Sequence, residues 1–515
     1  MIEVESGTHH VKRMALRGGL AKLLGQGGNF AVRLGFMVVV ARLLKPEDFG
    51  LVAMATIITA ILELFANAGL SAATVQKSAI NNEQISTLFW INICVGVMLC
   101  ALCTLIAPAI VAFYHEPRLF WVTVALGVGF LLNSAGVQHL ALLQRQLRYV
   151  TLAAIELSCQ LMSFSIGVCT AIAGYGYWAL VAAAVSLPAL MTCGVWIATA
   201  WIPSRPHRNV GIGSLLHFGG TLTINGVVAY MTYNFDKFIL GRVWGAGPLG
   251  YYGVAAQLIN IPTSNLNMAL GGVLFSALSR LQDDASRFKS YFLKGYALNI
   301  SMTLPVTIFS AVFAEDIVFV VLGPKWADAV IIFRLLTPTV LFFGVANPIG
   351  WLLWASGRHV RSLRISLAIA ALVITACLIG LPYGPKGVAI GFSSAMTLWL
   401  VPHVIWCLHG TTITPLDLLR VASRPLLSAA IAVAVAYAAS VYLSLPSPFF
   451  RLVTEGAVMM VVYATTLLFV MGQKNFYLEL FRAIGASSSK PSEVNPTENS
   501  SGDFETVSYS SLTRP

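Results

Sequence analysis

The sequence has 515 residues, of which 57% are hydrophobic and only 10% are charged, and its formal net charge is +11. Ordinary soluble domains contain about 25% charged residues, so a water-soluble fold of this length is excluded. Since about 20 apolar residues cross a bilayer, the composition predicts an all-α polytopic membrane protein. Cytoplasmic loops of such proteins collect Lys and Arg, which explains the positive charge without nucleic acid as a partner.

Hydropathy, together with the Gly, Pro and polar residues that mark loops, predicts about 14 transmembrane helices. The first six are Leu20–Leu43, Phe49–Leu70, Leu88–Phe113, Trp121–Leu143, Leu152–Ala173 and Trp178–Ile202. The next six are Leu215–Leu240, Tyr251–Leu278, Tyr296–Phe313, Val330–Trp354, Ile365–Leu381 and Val388–Leu408, and the last two are Leu426–Leu445 and Leu452–Met471. Between the ninth and tenth spans we expect an amphipathic connection that contains Glu315, Asp316, Lys325 and Trp326.

The distribution of basic residues predicts the orientation. With the N-terminus inside, 22 of the 32 Lys and Arg residues lie in inner segments and nine lie in outer segments. The positive-inside rule therefore places both termini in the cytoplasm. The predicted organisation is a cytoplasmic leader at 1–19, a first lobe at 20–213, a second lobe at 214–410, two further helices at 411–472, and a cytoplasmic, largely disordered tail at 473–515.

An internal repeat relates the two lobes. Arg42 and Gly50, after the first span, correspond to Arg242 and Gly250, after the seventh. Two more motifs recur at equivalent places in the two lobes. Arg145-x-x-Arg148 corresponds to Arg358-x-x-Arg361, and Tyr175-Gly176 corresponds to Tyr383-Gly384. Because six is even, both blocks enter the membrane in the same direction, which predicts two six-helix lobes in a parallel pseudo-repeat plus two extra C-terminal helices. Two facing lobes enclose a cavity, and this indicates alternating access.

The first span contains a polar stripe. Its members Lys22, Gln26, Asn29 and Arg33 share one helix face. Arg33 lies about 20 Å along the span at roughly 1.5 Å per residue, where a charge costs at least about 2.5 kcal/mol. We expect Arg33, Asn29 and Gln26 to face a cavity in which Arg33 contacts water or an anion. A structural ion pair of Arg33 with Glu63 or Glu156 is the alternative.

The seventh span, which is the repeat partner of the first, contains a second polar face. Its members are His217, Thr221, Asn225, Thr232 and Asp236, followed by Lys237. A buried Asn more often joins helices than binds a ligand, but polar faces on repeat-related helices favour a shared cavity with Asn225, Lys237 and Asn347 as further binding candidates. Intramembrane acids can bind a coupling ion, and the candidates for a proton or Na⁺ are Glu63, Glu156 and Asp236.

Sequence motifs of catalysis are absent. The sequence has no Gly-Lys dipeptide and therefore no P-loop, and it has no His-Glu-x-x-His or paired zinc motif. Cys100 and Cys103 form a lone C-x-x-C inside an apolar run, without further metal ligands. We therefore predict a protein that is not an enzyme and has no metal site and no cofactor apart from a coupling ion.

Several short segments, in a fixed order and spacing, indicate a family. They are Ala41–Gly50, Gly69-Leu70, Asp236-Lys237, Gly241-Arg242, Gly250-Tyr251, Gln282-Asp283-Asp284, Gly323–Trp326 and Asn347–Gly350. This set resembles the colanic-acid-type exporters among the bacterial lipid-linked oligosaccharide flippases, over roughly residues 12–470. That group belongs to the superfamily that also contains multidrug and toxin extrusion transporters and the peptidoglycan-precursor flippase.

The resemblance implies a function in polysaccharide export. It implies a two-lobed flippase that moves undecaprenyl-pyrophosphate-linked repeat units across the inner membrane for exopolysaccharide or lipopolysaccharide biosynthesis. It also implies a cationic cavity, for which Arg33 and Lys237 are the candidates, surrounded by membrane lipids. Polysaccharide polymerase and assembly proteins are candidate partners. Two alternatives stay open: a multidrug-type antiporter, whose cavity would be acidic and aromatic, and a noncatalytic scaffold of an assembly complex, whose polar stripes would be paired and dry.

Overall fold

The described part of the chain folds entirely into helices and their connections, with no strand. The structure is a computed structural model, and it describes residues 25, 27–66, 81–206, 213–282, 284–356, 358–443 and 445–478. The helices are α1 (27–43), α2 (Pro46–Ala66), α3 (Asn82–Tyr114), α4 (Leu119–Arg145), α5 (Tyr149–Ile172), α6 (Trp178–Thr199), α7 (Gly213–Trp244), α8 (Ala246–Arg280), α9 (Ala285–Val312), α10 (Ala314–Val321), α11 (Ala327–Leu336), α12 (Pro338–Ala355), α13 (His359–Gly380), α14 (Gly384–Leu408), α15 (Pro415–Leu443), α16 (Pro448–Thr465) and α17 (474–478). The predicted leader at 1–19 and the tail beyond residue 478 lie outside the described residues.

The predicted all-helical membrane architecture is confirmed. Helices α1–α9 correspond to the first nine predicted spans, α11 and α12 together to the tenth, and α13–α16 to the last four. Ten helical stretches in the described ranges are long and apolar enough to cross a membrane, and one of them, Val360–Leu408, contains both α13 and α14. Helices α7 and α8 are not among the ten, and they supply most of the polar side chains of the cavity described below.

Two predicted boundaries differ from the structure. The ninth span forms only the second half of α9, because the Asp284 side chain accepts hydrogen bonds from two backbone N–H groups and starts the helix at Ala285. The tenth span is divided between α11 and α12. The division falls at Pro338, which lacks the N–H group that a continuous helix requires.

The two lobes have the same internal packing. In the first lobe α2 packs on α3 and α4, α4 packs on α6, and α5 packs on α6. In the second lobe α8 packs on α9 and α12, α12 packs on α14, and α13 packs on α14. Helix α1 lies along α5, where the Phe36 and Phe164 rings stack 4.1 Å apart, and its repeat partner α7 likewise packs on α13. The correspondence is the parallel pseudo-repeat that the sequence predicts.

The lobes touch through backbone atoms at one pair of repeat-related glycines. A Cβ atom added to Gly50 would lie 1.7 Å from the carbonyl oxygen of Ala246, and one added to Gly250 would lie 1.8 Å from that of Pro46. Positions 46 and 246 are equivalent in the repeat, as positions 50 and 250 are, so α2 and α8 contact each other symmetrically. Any side chain here would push the two helices apart, which explains why both positions are glycine.

Polar contacts close the lobe interface at the same end. The Nη2 atom of Arg42 donates to the carbonyl oxygen of Val320 at 2.7 Å, and Lys325 Nζ donates to the Arg42 carbonyl oxygen at 3.2 Å. Trp326 is fully buried, and its indole N–H donates to the Ala41 carbonyl oxygen at 2.9 Å. These contacts join α1 to the connection between α9 and α12. We call this region the sealed end (residues 41–50, 241–250 and 320–326).

Helices α15 and α16 attach to the second lobe. Helix α15 packs along α9, and α16 packs along α15. Near the start of α15, Lys289 of α9 lies 2.7 Å from the Asp417 carboxylate. Near the start of α16, Arg451 donates through two guanidinium nitrogens to Asp316 of α10. Because α15 and α16 run in opposite directions, these ion pairs hold the two extra helices at both ends.

The glycine contact can be tested by adding a single methyl group. We expect Gly50→Ala and Gly250→Ala each to lower the midpoint of thermal unfolding in detergent, since overpacking costs about 1–3 kcal/mol. Gly253→Ala on α8 is the matched control, because its Cβ would meet no heavy atom within 4 Å. Equal midpoints for Gly50→Ala and Gly253→Ala would show that the lobes do not press together at this contact.

Candidate functional site between the two lobes

A polar space lies between the lobes beside the Gly50–Gly250 contact. It has a volume of about 290 Å³ and is walled by α2 of the first lobe and by α7 and α8 of the second. We call it the interlobe cavity. Its polar lining residues are Thr56, Tyr230, Asn234, Lys237, Gln257 and Asn260. Within the described ranges, Lys237 is the only charged residue that lines it.

Each lobe contributes a further space that adjoins the interlobe cavity. The first-lobe cavity, of about 410 Å³, lies among α2, α4 and α6 and is lined by Glu63 and Asn133. It shares Thr56 with the interlobe cavity. The second-lobe cavity, of about 140 Å³, is lined by Asp236 and shares Asn234, Lys237 and Asn260 with the interlobe cavity. The three spaces therefore form a row across the molecule.

Lys237 presents an ammonium group with spare hydrogen-bond donors. Its Nζ atom donates to Asn234 Oδ1 at 2.8 Å, and no ion pair involves Lys237 in the part of the chain that the structure describes. An ammonium group has three N–H donors, so the others stay available to a ligand. Because a charge inside a membrane protein is expensive unless it is neutralised, the interlobe cavity favours an anionic ligand.

Asp236 precedes Lys237 in the chain but lines only the second-lobe cavity. It is 2% exposed, and the Tyr252 hydroxyl donates to its Oδ2 atom at 2.6 Å. Its Oδ1 atom has no hydrogen-bond partner among the described residues. A buried carboxylate oxygen without a partner costs free energy. This group is therefore suited to binding a proton or a cation.

Arg33 lies on an inward-facing part of α1. Phe36 packs against Phe164 of α5, and Met37 belongs to the main buried cluster together with Leu51 of α2. At about 100° per residue, Arg33 lies between these two directions. Its side chain is nevertheless exposed. It forms no ion pair with either of its two predicted structural partners, Glu63 and Glu156, all three residues being described.

The structure does not bring all the predicted site residues together. Lys237 and Asp236 both line the second-lobe cavity, Lys237 also lines the interlobe cavity, and Glu63 lines the first-lobe cavity. The binding candidates Arg33, Asn29 and Asn347 and the acid Glu156 line none of the three spaces. Asn29 has a buried Oδ1 atom without a hydrogen-bond partner among the described residues, while Asn347 and Glu156 are half-buried. Gln26 and the side chain of Asn225 lie outside the described residues.

Sequence reasoning missed several residues that line the interlobe cavity. Tyr230, Asn234 and Lys237 are spaced four and three residues apart, and they form the face of α7 that lines the cavity. The predicted polar stripe followed a neighbouring face instead, on which Thr232 and Asp236 are buried. The spacing of residues 230, 234 and 237 is visible in the sequence and by itself predicts a second polar face of α7. Only the position of α2 against α7 shows which of the two faces meets the other lobe.

Comparison with known proteins identifies relatives over most of the chain. The sequence profile of a protein family described as "Polysaccharide biosynthesis protein" matches residues 39–331, which is more than half of the chain. The lipopolysaccharide biosynthesis protein WzxC of Escherichia coli (strain K12) is 28% identical over 363 residues, which cover 69% of this chain and 73% of WzxC.

Two solved structures have the same fold. The lipid II flippase MurJ, in an inward closed conformation, superposes with a TM-score of 0.69 at 14% identity, covering 91% of this chain and all of that chain. A multidrug resistance MATE family transporter in an inward-facing conformation superposes with a TM-score of 0.59 at 14% identity, covering 77% of this chain and 95% of that chain. The fold is therefore that of two-lobed membrane transporters, and it is common to both kinds of protein.

The interior position of Arg33 can be tested by cysteine labelling. In a background where the exposed Cys94, Cys169 and Cys193 are replaced by Ser, we expect Arg33→Cys to react with a water-soluble maleimide, because thiols react as thiolates in contact with water. Leu105→Cys is the control, since Leu105 is 76% exposed on an apolar stretch of α3 and should face lipid. Labelling of Leu105→Cys but not of Arg33→Cys would contradict the interior assignment.

Proposed function

We propose that this chain, which belongs to the polysaccharide biosynthesis protein family, is a flippase for lipid-linked oligosaccharide repeat units in the bacterial inner membrane. The observation that carries the proposal is the interlobe cavity, where Lys237 is the only charged lining residue of the described chain. The family membership and the name of WzxC, a lipopolysaccharide biosynthesis protein, support the same function. The repeat unit would serve exopolysaccharide or lipopolysaccharide biosynthesis, and we propose no enzymatic reaction.

The chemistry of the substrate matches the lining of the cavity. A polyprenyl-pyrophosphate-linked sugar has an anionic diphosphate, a hydrated glycan and an apolar tail. Lys237 can bind the diphosphate, since charge-assisted hydrogen bonds are the strong ones. The amide and hydroxyl groups of Asn234, Gln257, Asn260 and Tyr230 can replace water around the sugar hydroxyls. The polyprenyl tail can stay in lipid, so the cavity does not need to hold it.

Transport would proceed by alternating access of the two lobes. The predicted boundaries, 20–213 and 214–410, define the moving bodies, with 411–472 attached to the second. The sealed end blocks one side, and the Gly50–Gly250 contact lets α2 and α8 approach closely enough to exclude solvent there. Rocking about this interface would open the sealed end while the opposite end closes. Broken Arg42 and Trp326 contacts would be replaced by hydrogen bonds to water.

The charge pattern orients this cycle. The predicted inner segments, which contain 22 of the 32 Lys and Arg residues, would lie on the side opposite the sealed end, and the positive-inside rule would make this side cytoplasmic. Both termini are then cytoplasmic, and the sealed end faces outward. A substrate assembled in the cytoplasm would enter the open side. Arg33, exposed on the inner face of α1, would act as a second cation on its path.

An ion gradient would drive the movement of the lobes by binding and release of a proton or Na⁺ at Asp236. Its Oδ1 atom has no hydrogen-bond partner among the described residues, and Asp236 and Lys237 both line the second-lobe cavity. A proton or Na⁺ bound to Asp236 would therefore alter the electrostatic field at Lys237. Glu63 in the first-lobe cavity and Glu156 on α5 are further candidates for coupling.

The two alternatives fit the cavity less well. A multidrug-type antiporter for cationic compounds would place its ligand in the interlobe cavity beside the ammonium group of Lys237. The two positive charges would repel each other there. A noncatalytic scaffold needs dry and paired polar stripes, whereas the polar side chains of α7 and α8 line a space of about 290 Å³. The positive charge of Lys237 in the interlobe cavity therefore favours the flippase over both alternatives.

The role of Lys237 can be tested by removing its charge. We expect Lys237→Gln to weaken pyrophosphate-dependent binding by about 10- to 100-fold, since a hydrogen bond to a charged group contributes about 1.5–3 kcal/mol, and to reduce exopolysaccharide output accordingly. Lys237→Arg should retain most of the output. The control is Lys386→Gln, which removes an exposed charge outside the cavity. Wild-type output from Lys237→Gln at equal protein level would contradict the proposal.

The coupling role of Asp236 is a separate test. In proteoliposomes that contain a fluorescent prenyl-pyrophosphate saccharide, we expect Asp236→Asn to abolish the acceleration of flipping by an imposed Na⁺ or proton gradient, because the amide binds neither ion well. Asp328→Asn, at an exposed position of α11, should keep the acceleration. An unchanged response of Asp236→Asn to both gradients would exclude this residue from coupling.

A further inference from the structure

A basic pocket lies in the second lobe and shares no lining residue with the interlobe cavity. It has a volume of about 530 Å³ and lies where α9, α15 and α17 meet. Its lining residues fall into three groups: the cations Lys294, Arg420 and Arg424; the polar residues Ser290, Ser423 and Gln473; and the apolar or aromatic residues Leu293, Ala297, Val421, Pro425, Phe476 and Tyr477.

In the part of the chain that the structure describes, the three cations of this pocket have no counter-charge. Within the described ranges, none of Lys294, Arg420 and Arg424 forms an ion pair, and no carboxylate lines the pocket. Arg420 and Arg424 are one helical turn apart on α15, an arrangement in which like charges repel. Lys294 faces them from α9. Three converging positive charges that have no partner among the described residues favour a bound anion.

A carboxylate does lie near this pocket, but it is engaged elsewhere. Asp417 is one turn before Arg420 on α15, and it pairs with Lys289 at 2.7 Å. Its Oδ2 atom also accepts hydrogen bonds from the backbone N–H and the hydroxyl of Thr414, at 2.9 and 2.8 Å. Asp417 therefore holds α9 and α15 together and leaves the cations of the pocket uncompensated.

The predicted span boundaries put the pocket at the level of the lipid headgroups. Lys294 and Arg424 each lie two residues before a predicted span, Tyr296–Phe313 and Leu426–Leu445 respectively. The deeper wall is apolar, with Ala297 and the buried Pro425. Tyr477 of α17, which is 9% exposed, covers the other side. The pocket is thus positive at the membrane surface and apolar towards the bilayer core.

We propose that this pocket binds the phosphate headgroup of an anionic phospholipid. Basic pockets between transmembrane helices on the cytoplasmic side bind such headgroups, and arginine side chains bind phosphate oxygens in a bidentate manner. The apolar wall would contact the glycerol and the first acyl carbons. The lipid would neutralise Lys294, Arg420 and Arg424 and hold α15 and α17 against α9. A free phosphate or pyrophosphate shares the anionic group but would leave the apolar wall unused.

The purified full-length chain in neutral detergent can test this site by native mass spectrometry and thermal unfolding. We expect phosphatidylglycerol to be retained and to raise the unfolding midpoint, and phosphatidylcholine to do neither. The double variant Arg420→Gln/Arg424→Gln should bind phosphatidylglycerol about 25-fold more weakly, since each basic residue near an anionic surface contributes about fivefold. The control Arg280→Gln/Arg364→Gln removes two exposed arginines outside the pocket and should bind within twofold of wild type.

Three results would overturn the proposal: equal weakening by the two double variants, equal retention of phosphatidylcholine, and millimolar pyrophosphate displacing the lipid from the wild-type chain. The last would identify a free phosphate compound as the ligand. If the double variant does not fold, Lys294→Gln should weaken binding about fivefold. Arg420→Lys/Arg424→Lys, which keeps both charges, should bind phosphatidylglycerol within a few-fold of wild type, and a loss equal to that of the Gln variants would contradict the electrostatic argument.

Discussion

The close contact between α2 and α8 is the constraint on which the rest of the structure depends. At Gly50 and Gly250 the two helix backbones meet without any intervening side chain. Since these positions are equivalent in the repeat, one contact relates the two lobes symmetrically and sets how near α2 lies to α7. That distance leaves room for the interlobe cavity beside the contact and places the sealed end where Arg42 and Trp326 can reach the opposite lobe.

The few charges inside the membrane are arranged around this contact. Lys237 and Asp236 are neighbours in the chain and both line the second-lobe cavity, but only Lys237 also lines the interlobe cavity, because successive side chains on a helix point in different directions. The second lobe therefore presents an ammonium group to the interlobe cavity, and behind it a carboxylate oxygen that has no hydrogen-bond partner among the described residues. Both groups adjoin the interface between the lobes, so in the proposed alternating-access cycle a ligand and an ion would each bias the same movement.

The two C-terminal helices attach to the second lobe away from the cavities lined by Lys237 and Asp236. Lys289–Asp417 joins α15 to α9, and Arg451–Asp316 joins α16 to α10. The lipid site proposed at the start of α15 would add a third, exchangeable attachment. Because α10 leads directly into the segment that bonds to Arg42 and Ala41, the position of α16 is physically connected to the sealed end through one short helix.

The sequence by itself determined the membrane class, the helices and the repeat, because apolar length and equivalent motifs are local properties of the chain. It also predicted Lys237, Asp236 and Glu63 as interior groups, since a charge within an apolar run is visible without a fold. It could not decide that Tyr230, Asn234 and Gln257 line a common space, or that Arg33 and Lys237 lie apart. Those facts depend on which helix faces meet, and only the packing of α2 against α7 and α8 decided them.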